Sequence, residues 1–131
     1  MVTTDSIADM IVRIKNATAS KKDLVVFPLS KKTLAVAQIL ERTGFIELMP
    51  KKGKKVHKQI EAKLVYVSGV PRFKGARRIS SVSKRVYKKI KNVVSVKSGF
   101  GSLVLSTPKG LLTEKEARKE NVGGEALFQI W

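Results

Sequence analysis

The sequence predicts an α+β protein built from two small parts. The first is an α/β unit over residues 1–67, and the second is a β-rich unit with one short helix over residues 77–131. Three observations carry this expectation. Two stretches in the first half repeat apolar residues at helical spacing. The second half strings together short β-branched runs punctuated by turn residues. Between them, residues 68–76 hold two glycines and a proline, the composition of a linker. With 131 residues, 43% of them hydrophobic, the chain is long enough to bury a core without disulfide or metal staples.

Residues 4–19 open with a helix. Ile7, Met10, Ile11 and Ile14 fall at i, i+3, i+4 and i+7, one apolar stripe, and leave Asp9, Arg13 and Asn16 outside. Thr4 or Asp5 can cap it by accepting from the free N–H groups of the first turn. Residues 24–29 are apolar and β-branched and suit a short strand. Ser30 then caps a second helix from Lys31 to about Thr43, with Thr33, Val36, Ala37 and Leu40 on one side and Gly44 as its stop. Residues 45–49 and 59–67 are strands, the latter alternating Ile60, Ala62, Leu64 and Tyr66 with more polar neighbours. The polar stretch 50–58 joins them as a hairpin tip.

Beyond the linker, residues 79–82, 85–90 and 102–106 read as short strands. Thr113-Glu-Lys-Glu116 has capping-box spacing and starts a short helix that ends before Gly123-Gly124. Residues 125–131 close the chain as a strand with Ala126, Phe128 and Ile130 on one face.

Charge narrows the function. The net charge is +17, from 27 Lys and Arg against 10 Asp and Glu. It is not evenly spread: residues 51–97 hold 16 of the basic residues and one acid, Glu61, giving +15, whereas residues 98–131 balance at zero. A segment that repels itself this strongly calls for an anionic partner. A polyphosphate fits best, because neutralising phosphates releases condensed counterions. Solubility alone asks for a net charge of only about 2–8 in a small domain. Membrane binding would call for a basic amphipathic helix with a bulky apolar face, which the basic region lacks. The absence of cysteine excludes disulfides and thiol metal sites. No apolar run approaches the roughly 18 residues needed to cross a bilayer, and no signal-peptide core opens the chain, so a soluble intracellular protein is expected.

Catalysis finds little support. His57 is the sole histidine and sits in a lysine-rich tip without a paired nucleophile. The scattered acids offer no ligand spacing, and no complete phosphate-binding glycine motif occurs. No enzyme activity, metal, cofactor or small-molecule substrate is expected. The segment Ser106-Thr-Pro-Lys-Gly110 is more informative. Placed between an apolar strand and a capped helix, its two hydroxyls, its cation and its turn amides could bond sugars, phosphates or base edges. The same composition also suits an ordinary strand-to-helix turn.

The run Gly101-Ser-Leu-Val-Leu-Ser-Thr-Pro-Lys-Gly-Leu-Leu-Thr-Glu-Lys-Glu-Ala-Arg118 resembles the signature of the eighth protein of the small ribosomal subunit. Three further blocks agree with that family, in its order along the chain: residues 5–17, Glu41-Arg-Thr-Gly-Phe-Ile46 and Gly123-Gly-Glu125. The resemblance implies a two-part protein that binds the central domain of small-subunit ribosomal RNA and helps assemble it. In some members it also implies repression of translation of the protein's own operon. It further implies proteins five and twelve of the same subunit as neighbours, and a cytoplasmic or organellar ribosome as the location. Carried over position by position, Ser106, Thr107 and Gly110 match the RNA-contacting loop, Tyr87 an RNA-facing tyrosine and Glu125 an acid beside the site. Thr4, Ser30 and Lys31 match amino-terminal positions that touch a second RNA segment. Many relatives have Ser where this chain has Pro108, and three residues common before Tyr87 are missing here.

The expected mechanism divides the labour. A basic patch of Lys51, Lys52, Lys54, Lys55, Lys58, Arg77, Arg78, Lys84 and Arg85 supplies attraction, Lys109 pairs with phosphate, and the polar loop with Tyr87 selects an irregular RNA helix. The competing reading is a general nucleic-acid chaperone with no preference between folded RNA and duplex DNA.

Overall fold

The structure, a computed structural model, describes residues 5–49, 59–80, 84–93 and 101–131. Helices are interspersed among strands along the chain and the described strand pairs are antiparallel, an α+β fold that divides after Phe73 into two compact units.

In the first unit, helix α1 (Ser6–Ala19) is capped by Asp5, whose carboxylate accepts from the Ala8 N–H at 3.1 Å. Caps of this kind hold about 1 kcal/mol. The predicted stripe of Ile7, Met10, Ile11 and Ile14 is buried, joined by Ala17. Strand β1 (Leu24–Pro28) follows, then helix α2 (Lys31–Arg42). At the end of α2 Gly44 takes φ +89°, Phe45 N–H reaches back to the Leu40 carbonyl and Gly44 N–H to that of Glu41. These are the two bonds of a Schellman end, which favours glycine there. Strands β2 (Ile46–Leu48) and β3 (Gln59–Leu64) complete a sheet in the order β1-β3-β2. Along β3, Ile60, Ala62 and Leu64 are buried while Gln59, Glu61 and Lys63 are exposed, the expected alternation.

The expected strand 59–67 is in fact two. After Leu64 the chain leaves the sheet at Val65, and Tyr66–Val67 (β4) turns back on Val70–Pro71 (β5). Ser68 and Gly69 both take positive φ, the geometry that tight hairpins prefer. Residues 68–76 are thus partly ordered: Arg72 N–H also bonds the Val65 carbonyl.

The second unit is organised around strand β10 (Gly124–Ile130). Its neighbours are β6 (Ala76–Arg78) and β7 (Tyr87–Lys88) along one edge and β8 (Ser102–Thr107) along the other. Strand β9 (Gly110–Thr113) pairs with β8, and helix α3 (Glu114–Glu120) follows. Thr113 and Glu116 form the capping box at its start, and Asn121, in the left-handed region, ends it before the glycine pair. Leu103, Leu105, Ala126, Ala117 and Val93 form the apolar cluster.

Four expectations for this unit are corrected. Of the strand expected at 79–82, Ile79 and Ser80 are not strand residues and instead both donate to the Leu127 carbonyl, residues 81 and 82 lie outside the described residues, and the strand pairing with β10 is Ala76–Arg78. The run 85–90 keeps only two strand residues before the 3-10 turn Ile90–Asn92. The segment after Ser106 is a β-hairpin rather than a strand-to-helix turn, since β9 precedes α3. Finally, Ala126 and Phe128 do not share a face: a bulge at Leu127 sets Ala126 opposite Leu105 but Phe128 opposite Val104, the adjacent residue.

Candidate nucleic-acid interface

Glu125 of β10 stands directly across from Tyr87 of β7 on one side and Ser106 of β8 on the other. Opposed residues of an antiparallel pair point to the same face, so these three side chains form one row across the sheet. Alternation puts that row on the face opposite Leu105 and Ala126, away from the apolar cluster. Tyr87 is 72% exposed, and neither its hydroxyl nor that of Ser106 has a partner among the described residues.

Two glycines let the strands of this row close up. A Cβ on Gly124 would lie 2.0 Å from the Ser106 carbonyl oxygen, and one on Gly123 would lie 2.4 Å from that of Lys88. Beside them is an open concavity of about 430 Å³ lined by Tyr87, Lys88, Lys89, Ile90, Gly123 and Gly124. Its lining thus brings together two lysines, an aromatic ring and two residues without side chains. Such a hollow suits a sugar–phosphate edge with a base stacked on the ring.

Glu125 is held rather than free. Its Oε2 accepts from the buried Ser80 hydroxyl at 2.5 Å and from the Arg85 guanidinium at 3.2 Å, while Oε1 has no partner among the described residues. The Ser80 hydrogen bond, opposed by burial and aided by Arg85 and then Arg78, keeps this carboxyl below the usual carboxylate range. It stays an anion, able to accept from a base amino group through Oε1.

The hydroxyls of the neighbouring hairpin differ in function. Thr107 Oγ1 donates to the Gly110 carbonyl at 2.8 Å and accepts from Lys109 N–H at 3.1 Å, so it fastens the turn. Ser106, one residue earlier, points into the row. Pro108 and Lys109 are the two turn residues between the paired Thr107 and Gly110. Proline presets its own φ, and Gly110 takes φ +103°, which a side chain would resist. The exposed Lys109 ammonium lies 2.9 Å from Glu120.

The other expected site residues are dispersed. Ser30 and Lys31 lie in the first unit, where Ser30 caps α2 and Lys31 is exposed. Thr4 and the lysines Lys51, Lys52, Lys54, Lys55 and Lys58, with His57, lie outside the described residues. Arg77 is exposed on β6, Arg78 donates to the Leu127 carbonyl, and Lys84 and Arg85 are exposed on the approach to β7. Sequence reasoning missed Ser80 and Lys88. Lys88 carried a signal, a cation following Tyr87, whereas Ser80 carried none: its partner is 45 residues away.

Among the described residues no group of three or more His, Cys, Asp or Glu gathers to hold a metal, and no helix is long and apolar enough to cross a membrane. Comparison with known proteins gives a consistent family. The family model described as ribosomal protein S8 matches residues 5–131. The chain is 45% identical over 131 residues, all of both chains, to small ribosomal subunit protein uS8 of Mycoplasmopsis agalactiae. Its counterpart in Mycoplasmopsis pulmonis is 44% identical over 130 residues, 99% of this chain and 98% of that one. In Novosphingobium aromaticivorans the figure is 39% over 131 residues, again all of both chains.

Proposed function

Because the chain belongs to the ribosomal protein S8 family, we propose that it is a structural constituent of the small ribosomal subunit that binds ribosomal RNA. Its target is an irregular helix in the central domain of the small-subunit RNA, and binding helps that domain assemble in the cytoplasmic ribosome. Proteins five and twelve of the subunit are its neighbours, and a messenger element shaped like the ribosomal target would be captured in the same way, repressing its own operon.

One observation carries the reading: the row Tyr87–Glu125–Ser106, with two hydroxyls that have no partner among the described residues and an anchored carboxylate beside Lys88 and Arg85. Lysine and arginine bring any RNA close. Regular A-form RNA hides its base edges in a deep major groove. Selection therefore falls to groups that read a widened minor groove or a displaced base. Ser106 bonds a 2′-hydroxyl or base edge, Tyr87 stacks, and Glu125 Oε1 accepts from an amino group. Thr107 and Gly110 shape the hairpin that carries Ser106, and Lys109 exchanges Glu120 for a phosphate. Ser30 and Lys31 touch a second RNA segment, as does Thr4, and the basic patch completes the field.

The test is competition between a central-domain RNA fragment and a scrambled duplex of equal length, across a salt series. The wild-type chain is expected to prefer the fragment at every salt concentration, with the slope set by its cations. Equal affinity for folded RNA and duplex DNA would instead favour the general chaperone.

A further inference from the structure

We propose that Ser80 is a positioning residue of this surface: its hydroxyl, wedged between the Glu125 carboxylate and the Val86 amide, sets where Tyr87 stands relative to Ser106. The proposal rests on the RNA-binding reading above for its function, though its geometry stands without it. Ser80 is 0% exposed, so it is not itself a contact for any large partner. A serine hydroxyl has one proton to give and lone pairs to receive. Here it donates to Glu125 Oε2 and accepts from Val86 N–H at 3.2 Å. That single group ties β10 to the residue immediately before Tyr87.

The tether matters because β7 is weak by itself. It is two residues long, and only Tyr87 and Lys88 pair with β10. Val86 lies outside that ladder yet is gripped twice, by Ser80 through its N–H and by Ala126 N–H through its carbonyl at 2.8 Å. Ser80 is in turn fixed by the bulge. The Leu127 carbonyl accepts from the N–H groups of Ile79 at 3.0 Å and Ser80 at 3.4 Å and from the Arg78 guanidinium. The irregularity that breaks the alternation of β10 therefore anchors the residue that holds Tyr87. Arg85, the other partner of Glu125, has a half-exposed side chain at 42% and can swing toward phosphate. Ser80 cannot. The lowered carboxyl of Glu125, whose largest cause is the Ser80 hydrogen bond, agrees with this arrangement.

The experiment uses the full chain and three readouts on Ser80→Ala: the Glu125 carboxyl titration by NMR, the backbone relaxation of Tyr87, and the preference for the central-domain fragment over scrambled duplex. Expected are an upward move of the Glu125 titration, added mobility at Tyr87 and a preference lowered about tenfold, the effect of losing a hydrogen bond to a charged group. Affinity for scrambled duplex and its salt slope stay unchanged, which a merely unfolding variant would not give. Ser80→Thr keeps the hydroxyl and is expected to restore the Glu125 titration. Should the alanine form fail to fold, Ser80→Cys, with a weak donor of similar size, is read in the same way. An unmoved Glu125 titration, or a moved titration with unchanged Tyr87 relaxation and RNA preference, would overturn the proposal. A wild-type chain without RNA preference would sink the RNA reading alone, because the titration and relaxation would still report on the tether.

Discussion

Each unit of the molecule carries a serine matched to an expected RNA contact and a threonine within three residues of it, and the two pairs are used differently. In the first unit Ser30 Oγ accepts from Thr33 N–H at 3.1 Å. Thr33 Oγ1 answers by accepting from Ser30 N–H at 2.8 Å and donating to the Pro28 carbonyl at 2.7 Å. These groups start a helix. In the second unit Thr107 is likewise consumed by its own turn, but Ser106 is on a strand, where alternation lifts it out of local bonding and into the row with Glu125. The difference teaches that backbone context decides what a hydroxyl is for. At a helix start or a turn it completes the main chain, and on the open face of a sheet it is left for a partner.

The strongest way to break this contrast is Gly124→Ala. The added methyl would meet the Ser106 carbonyl at 2.0 Å, and backbone at that distance has no room to yield. A cost of about 3 kcal/mol is expected, at the upper end of ordinary overpacking. Native-state hydrogen exchange should show amides of β8 and β10 losing protection while those of α2 keep theirs. Ser106→Ala comes next. It should lower the preference for the central-domain fragment about tenfold, or about 1.4 kcal/mol, with melting shifted by less than about 0.5 kcal/mol. Competition binding and a thermal melt on the same preparation check both.

Ser30→Ala sharpens the comparison from the other side. Loss of the cap should cost about 1 kcal/mol of stability in urea titration, with a smaller change in RNA preference than Ser106→Ala produces. The least effect is expected from Lys109→Ala. Its ion pair with Glu120 joins two half-exposed side chains, and such pairs contribute below about 1 kcal/mol. Melting should barely move, and the loss of one cation should flatten the salt dependence of binding to every RNA by about one unit of slope.

What could be read in advance was local. The two long helices, their apolar stripes, the cap at Ser30 and the box at Thr113 follow from residues within one or two turns of each other. The concentration of charge in residues 51–97 needs only counting. What escaped depends on distant partners. Strand β9 has four residues and passes for part of the turn into α3 until β8 is beside it. The bulge at Leu127 is a property of the ladder, invisible in a strand that alternates well enough by itself. The site divides along the same line. Tyr87, Ser106 and Glu125 were indicated by family resemblance, residue by residue, but their meeting in one row is a consequence of register. Nothing near Ser80 in the chain announces that it bonds a residue 45 positions later.

The central place of β10 has a consequence for the order of events during synthesis. Among the described residues every strand pairing in the first unit lies between residues 24 and 71, whereas β6, β7 and β8 all wait for residues 124–130. A growing chain can therefore complete one half while β6 and β7, with Arg77, Arg78 and Lys88, have left the exit tunnel with their partner strand still unmade. For that interval the nascent protein is a folded head trailing a polycation, and the first polyanion it meets is the ribosome that is making it.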